Sequence, residues 1–218
     1  MCGRYASSRG PDDLTSYFEV EEPPEQQLPP SWNVAPTDPV YAVVQKARRE
    51  LRVLRWGLVP SWSKDGKGGA RLINARVESV AEKPAFRTAY AKRRCLLPAD
   101  GYYEWKAEGT GKQPYYVTSR DGSPLAMAGL YEHWKSPEGE WLSTCTVLTT
   151  AAPDELGEIH ERTPLLVPRE AWGTWLDPAL PDPGDVLVPG TPGVLDAWPV
   201  GQEVGNVRNN GARLVDPV

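Results

Sequence analysis

Short β-rich runs dominate the apolar pattern of this chain from about residue 94 to residue 149. Apolar and aromatic positions recur there in runs of five to eight, separated by turn formers such as Gly109 and Asp121-Gly122. Two earlier β-rich runs enclose a basic stretch around Arg48, which indicates a hairpin. The predicted strands are 40–45, 51–59, 94–98, 101–106, 114–119, 125–132 and 142–149.

Helical patterns are fewer and shorter. Residues 11–19 open with a proline and two acidic residues, which are favoured in the first turn of a helix. The predicted helices are 11–19, 79–92 with a break near Pro84, 153–159 and 168–176, while 21–31 and the six-proline stretch 177–199 are predicted to be mostly irregular. Short strands with a few helices predict one α+β domain over residues 1–218, built on mostly antiparallel sheet, with 177–218 packed on it.

The composition predicts a cytoplasmic location. The 218 residues are ample for a hydrophobic core, and no run approaches the roughly 18 apolar residues of a membrane span. The first residues are too polar for the apolar part of a signal peptide. Three cysteines, an odd number without a repeating spacing, argue against a disulfide framework.

Charge is distributed very unevenly along the chain. The net charge is −5, yet residues 42–95 carry fourteen Lys and Arg against four Asp and Glu. This segment predicts a basic face turned toward an anionic partner; the alternative is a solvated surface that happens to be basic. The residues expected to contact phosphate are Arg48, Arg49, Arg52, Arg55, Lys92, Arg93 and Arg94.

Cys2 directly follows the initiator methionine. A side chain as small as that of cysteine permits removal of Met1, which would leave a thiol and a free α-amine on one residue. An α-amine has a pKa of about 7.7–8.0, so much of it is available near neutral pH. Such a 1,2-aminothiol reacts with aldehydes, first as an imine and then as a five-membered thiazolidine. The alternative is that residue 2 belongs to a frayed terminus without a role.

Each remaining candidate residue, considered alone, fits either a structural or a chemical role. Cys95 and Cys145 lie in apolar strand patterns and are predicted to be buried structural thiols, and Trp56 is predicted to be in the core. His133 is expected to be exposed, and no His or Cys pair has metal-ligand spacing, so neither a metal nor a cofactor is predicted. Two further chemical candidates are His160, where a helix end meets a proline, and Glu104, on an aromatic strand.

Several motifs, taken together and in order, resemble one family. The chain is similar to the SOS response-associated peptidase (SRAP) family up to about residue 176, whereas the proline-rich remainder matches poorly. The resemblance rests on the segments 2–5 (CGRY), 32–37 (WNVAPT), 55–62 (RWGLVPSW), 74–78 (NARVE), 83–86 (KPAF), 94–98 (RCLLP), 101–105 (GYYEW), 128–131 (AGLY), 149–152 (TTAA) and 159–162 (IHER).

The resemblance implies a barrel-like sheet and a covalent link between the processed N-terminal cysteine and abasic sites in single-stranded DNA. It implies four catalytic residues: Cys2 as nucleophile, Asn74 holding the reacting centre, Glu104 beside the α-amine and His160 near the deoxyribose oxygen. Thr163 departs from the family, which usually has methionine there, and this puts the placement of His160 in question. The DNA contacts implied by the resemblance are Arg4, Trp62, Arg76 and Arg162.

These considerations predict an abasic-site sensor that shields single-stranded DNA through a thiazolidine. A single strand needs one site, so a monomer is expected. Two alternatives remain open: a thiol peptidase, acting on itself or on others through Cys2, His160 and Glu104, and a non-covalent single-strand binding module.

Overall fold

The computed structural model describes residues 2–153, 156–184 and 193–218. Within these ranges the chain forms twelve strands and four short α-helices. The helices are α1 (Pro11–Tyr17), α2 (Arg87–Lys92), α3 (Leu156–Ile159) and α4 (Trp172–Leu176). The strands are β1 (Tyr5–Ser7), β2 (Ser31–Val34), β3 (Pro39–Gln45), β4 (Arg49–Trp56), β5 (Asn74–Arg76), β6 (Arg94–Ala99), β7 (Gly101–Glu108), β8 (Gly111–Ser119), β9 (Leu125–Lys135), β10 (Trp141–Ala151), β11 (Arg162–Pro164) and β12 (Leu195–Pro199).

Five strands close into a barrel. β10, β4, β3, β6 and β9 pair in that order, and β9 pairs again with β10. Every pairing around the barrel is antiparallel except β4 with β10, where Trp56 lies opposite Cys145. The long strand β10 also carries β11 antiparallel and β5 parallel to it, beyond its contact with β4.

A second sheet has the order β12-β8-β7-β1-β2. Its centre is the β7–β8 hairpin, which turns between Glu108 and Gly111. The first strand, β1, is inserted between β7 and β2, so Tyr5–Ser7 lie inside this sheet. This insertion is what brings Cys2 to the interior.

The barrel strands are buried on both faces, as their alternating side chains show. Val43 and Leu96 face one cluster, which is covered by α1, α2 and α4. Their neighbours Val44 and Leu97 face the other cluster, which packs against the second sheet and includes all three cysteines. The predictions that Cys95, Cys145 and Trp56 are buried are confirmed, each at 0% exposure.

The α+β class with a barrel-like, mostly antiparallel sheet is confirmed, and two local predictions are wrong in part. The predicted helix 79–92, with its break near Pro84, is α-helical only after the break, over Arg87–Lys92, and the part before Pro84 is not α-helical. Residues 195–199, predicted to be irregular, form β12, since β8 offers a free edge that pairs Trp198 with Tyr116. The strands β1, β2, β5 and β11 were too short to predict. Residues 154–155 of the predicted helix 153–159 lie outside the described residues. So do residues 185–192 of the predicted irregular stretch 177–199.

Candidate active site

Cys2 lies at the entry to β1 and is completely buried. β1 is fixed beside β7, where the Tyr103 amide donates to Arg4 O at 2.9 Å. Burial raises the pKa of the Cys2 thiol well above its ordinary value, and the negative charge of Glu104 raises it further. The thiol is therefore protonated near neutral pH, and Glu104 lies close enough to act on it electrostatically.

Asn74 reaches the backbone of Cys2 from the other sheet. Its Nδ2 donates to Cys2 O at 2.8 Å. β5 carries this side chain and runs parallel to β10, with Asn74 opposite Val147. Trp56 supports the same segment, because its indole donates to Ile73 O at 2.9 Å. Cys2 is thus held between a strand of its own sheet and a side chain attached to the barrel.

Glu104 projects from β7 and is 4% exposed. It lies two residues beyond Tyr102, so the two side chains share a face of the strand. Burial raises the pKa of Glu104 above the ordinary glutamate value, and the electrostatic influence of nearby groups, including the His160 ring, opposes the rise. A carboxyl in this setting is suited to exchanging protons with an amine beside it.

His160 follows α3 and is half-buried. Its Nδ1 accepts a hydrogen bond from the Arg162 amide at 2.9 Å. With Nδ1 as acceptor, the neutral ring carries its proton on Nε2. The fold therefore brings Cys2, Asn74, Glu104 and His160, which are far apart in sequence, into one neighbourhood.

Two predicted DNA contacts are engaged within the protein. The Arg4 guanidinium donates to Asn33 Oδ1 and Val204 O, each at 2.8 Å. Arg162 pairs with Glu78 at 2.7 and 3.0 Å and donates to a backbone carbonyl at 2.6 Å. Both side chains hold segments together, so any phosphate contact would use the donors that these bonds leave. Their role in DNA binding stays a prediction.

The other two predicted DNA contacts face solvent. Arg76 is exposed at the end of β5, and Trp62 is 67% exposed. The loop that presents Trp62 is pinned by Trp134, whose indole donates to Ser63 O at 2.7 Å. A Cβ at Gly66, where φ is +64°, would lie 2.8 Å from the Trp134 ring, so glycine lets the loop lie flat against it.

Part of the basic segment is engaged within the protein. Arg49 contacts Glu19 at 3.4 Å, and Arg93 contacts Glu132 at 2.7 Å. Arg94 is buried and donates to the carbonyls of Tyr90, Trp175, Asp177 and Leu180. The prediction that Arg94 contacts phosphate is therefore wrong, because its guanidinium anchors the segment after α4.

The described part of the chain lacks two kinds of feature. No group of three or more His, Cys, Asp or Glu residues there is arranged to hold a metal ion. No helix there is long and apolar enough to cross a membrane.

His133, expected to be exposed, is half-buried and contacts Ser143 Oγ through its Nδ1 at 2.8 Å.

The family follows from a comparison with family models. The model described as SOS response associated peptidase (SRAP) matches residues 1–207. The chain belongs to the SRAP family. The match extends beyond residue 176, where recognisable motifs end, and it includes β12 of the second sheet.

Named relatives in this family cover nearly the whole SRAP chain. Abasic site processing protein YoqW of Bacillus subtilis is 37% identical over 222 residues, covering 99% of each chain. Abasic site processing protein YedK of Escherichia coli is 33% identical over 231 residues, covering 100% of each chain. Abasic site processing protein HMCES of Xenopus tropicalis is 30% identical, covering 81% of this chain and 66% of its own.

Solved structures have the same fold. A protein from Bacteroides thetaiotaomicron superposes with a TM-score of 0.89 at 24% identity, over 100% of both chains. A protein from Bordetella bronchiseptica superposes with a TM-score of 0.79 at 28% identity, over 92% of this chain and 100% of that one.

Sequence reasoning missed two residues of this SRAP site. Tyr102 is buried on the same strand face as Glu104, and the two-residue spacing on a predicted strand was the available signal. Trp134 carries no local signal, because its role depends on a loop about seventy residues earlier in the chain.

Proposed function

We propose that this protein recognises abasic sites in single-stranded DNA and shields them by a thiazolidine link through Cys2 after removal of Met1. The relatives named above are abasic site processing proteins, which supports the choice of substrate. The observation that carries the proposal is the 2.8 Å bond from Asn74 to Cys2 O. It holds the second residue of the chain beside Glu104 and His160, where a terminus without a role would be loose.

The first step opens the sugar. An abasic deoxyribose is mostly a closed hemiacetal, which contains no aldehyde. His160 is suited to protonating the ring oxygen as the bond from that oxygen to C1′ breaks, since the proton of the neutral ring is on Nε2. Loss of the C1′ hydroxyl proton then completes the aldehyde.

The second step joins protein to DNA. The α-amine of processed Cys2 adds to C1′, and the carbinolamine loses one water to give an imine. Glu104 accepts a proton from the nitrogen, which becomes an ammonium as the amine adds to C1′, and returns one to the leaving hydroxyl. Burial raises its pKa, so its carboxyl exchanges protons closer to neutral pH than an exposed glutamate does.

The third step closes the ring. The Cys2 sulfur bonds to C1′, and the thiol proton passes to the imine nitrogen, so the thiazolidine forms with no further loss. A thiazolidine lacks the iminium that would drive β-elimination of the 3′ phosphate. Sulfur therefore protects the strand, and an amine without sulfur would permit scission.

The environment of Cys2 supports this order over a thiol peptidase. A peptidase needs a thiolate as its first nucleophile, which is usually obtained by lowering the thiol pKa. Here burial and the charge of Glu104 both raise the pKa of Cys2. A neutral thiol suits a step in which the amine attacks first and sulfur adds to an imine already formed.

The test mixes the protein with single-stranded DNA that carries one abasic site. Denaturing electrophoresis and intact mass spectrometry are expected to show a heat-stable adduct that maps to Cys2, with Met1 absent. Cys145→Ala is the matched control, since that thiol is also free and fully buried but should leave the adduct unchanged. Cys2→Ala is expected to lose the stable adduct and to cleave the strand.

Three outcomes would contradict the proposal. A heat-stable adduct with Cys2→Ala would exclude the thiazolidine. Binding that weakens with salt but leaves no adduct from processed protein would favour a non-covalent binding module. Self-removal of Met1 or of a longer leader, without an aminopeptidase and without any adduct, would favour the peptidase.

A further inference from the structure

A pair of buried hydroxyls joins the two sheets beside the candidate site. Tyr102 Oη and Thr163 Oγ1 are 2.7 Å apart. Tyr102 is on β7 of the second sheet, and Thr163 is on β11, which is attached to the barrel through β10. Tyr102 is 1% exposed and Thr163 is 3% exposed, so solvent offers neither hydroxyl a substitute partner.

Each end of this pair belongs to an element that carries a reacting group. Glu104 is two residues beyond Tyr102 on the same face of β7. His160 is three residues before Thr163, and its ring is oriented by the Arg162 amide at the start of β11. The Tyr102–Thr163 bond therefore spans the gap that separates the acid–base groups of the two sheets.

We propose that the Tyr102–Thr163 hydroxyl pair is a positioning element that sets the separation between Glu104 and His160. This inference rests on the proposed crosslinking function. Tyr102 and Thr163 are assigned no contact with the reacting atoms and act through the strands that they join. The titratable groups that face Tyr102 are Cys2 and Glu104, and both favour the neutral phenol that the hydroxyl bond needs.

The physical basis is that a buried hydroxyl bond is costly to leave unmade. Removing one partner strands the other hydroxyl away from water, so the two elements shift to relieve it. A displacement of about 1 Å between positioned groups is enough to slow a reaction up to a hundredfold. We therefore expect a rate effect that is larger than the effect on DNA affinity.

The test compares Thr163→Val, Tyr102→Phe and the double variant with the wild type. Each is expected to slow adduct formation about tenfold to a hundredfold at saturating DNA, and the double variant is expected to be no slower than the slower single one. The pH profile of the rate should shift in all three, because Glu104 and His160 exchange the protons. Thr163→Ser should restore both rate and profile.

Thr118→Val is the matched control. It also removes a threonine hydroxyl bond, from Thr118 Oγ1 to Asp100 O at 2.6 Å, but on a strand without a reacting group. Its rate and pH profile should be unchanged. A Thr163→Val protein that reacts with the wild-type rate and profile would overturn the inference, as would an equal slowing by Thr118→Val. Absence of an adduct from the wild type would instead overturn the proposed function, and the inference with it.

Discussion

The substitution Arg94→Met tests whether the Arg94 guanidinium is a structural anchor or a phosphate contact. Arg94 Nε donates to Trp175 O and Nη1 to Tyr90 O, each at 2.6 Å. Nη2 donates to Asp177 O and Leu180 O, so the guanidinium ties the residues after α4 to the start of β6. Methionine has a similar length but no donor, so the change leaves four carbonyls without their partner.

The expected loss is about 3 kcal/mol in the free energy of unfolding. A hydrogen bond to a charged group contributes about 1.5 kcal/mol, so four contribute about 6 kcal/mol. Arg94→Met also removes the desolvation cost of burying the guanidinium charge, and this offsets several kcal/mol of the lost hydrogen-bond energy. For a chain of this size, a loss of about 3 kcal/mol corresponds to a fall of about 6–12 °C in Tm.

Urea unfolding and thermal unfolding measure the effect, with Lys92→Met as the control because Lys92 is exposed on the same short segment. The control should change stability by less than about 0.5 kcal/mol. DNA affinity of folded Arg94→Met should keep the salt dependence of the wild type. Unchanged stability together with a salt slope smaller by about 0.7, the value for one phosphate on a single strand, would refute the anchoring role.

Three further changes test the site. Asn74→Ala removes the bond to Cys2 O and should slow crosslinking about fivefold, as the loss of about 1 kcal/mol predicts; an unchanged rate would exclude that role. Burial raises the pKa of Glu104, so its contribution to stability is present at low pH and is lost as pH rises through the raised value. Glu104→Gln should therefore gain stability relative to the wild type from pH 4 to 7 in urea unfolding, whereas parallel curves would contradict the shift. Trp134→Phe removes the indole bond that holds the Trp62 loop and should weaken single-strand binding about fivefold in fluorescence anisotropy, with an unchanged salt slope; a changed slope would point to a lost phosphate contact.

Local pattern predicted much of the barrel. Alternating apolar residues and turn formers placed the central strands to within a few residues, since both signals depend on near neighbours in sequence. The three-residue strands β1, β5 and β11 escaped prediction, because a run that short has no period of its own. They are nevertheless the strands that place Cys2, Asn74 and the residues after His160.

Charge is where sequence reasoning was wrong about one residue, Arg94. The excess of Lys and Arg in residues 42–95 is real, but composition does not reveal which side chains are already paired. Arg49 and Arg93 contact acids from distant segments, and Arg94 is buried among carbonyls. An arginine is available to an external anion only after internal partners are satisfied, and those partners are set by the fold.

By itself, the sequence determined the fold class, the family motifs and the residue types proposed to carry the chemistry, because motif order and strand periodicity are properties of the chain read in one dimension. Only the tertiary structure decided that Cys2 is buried and gripped by Asn74. It alone joined Tyr102 to Thr163 across two sheets. Contacts between residues sixty or more positions apart depend on how the barrel closes and where β1 inserts, and no local preference of the chain encodes either.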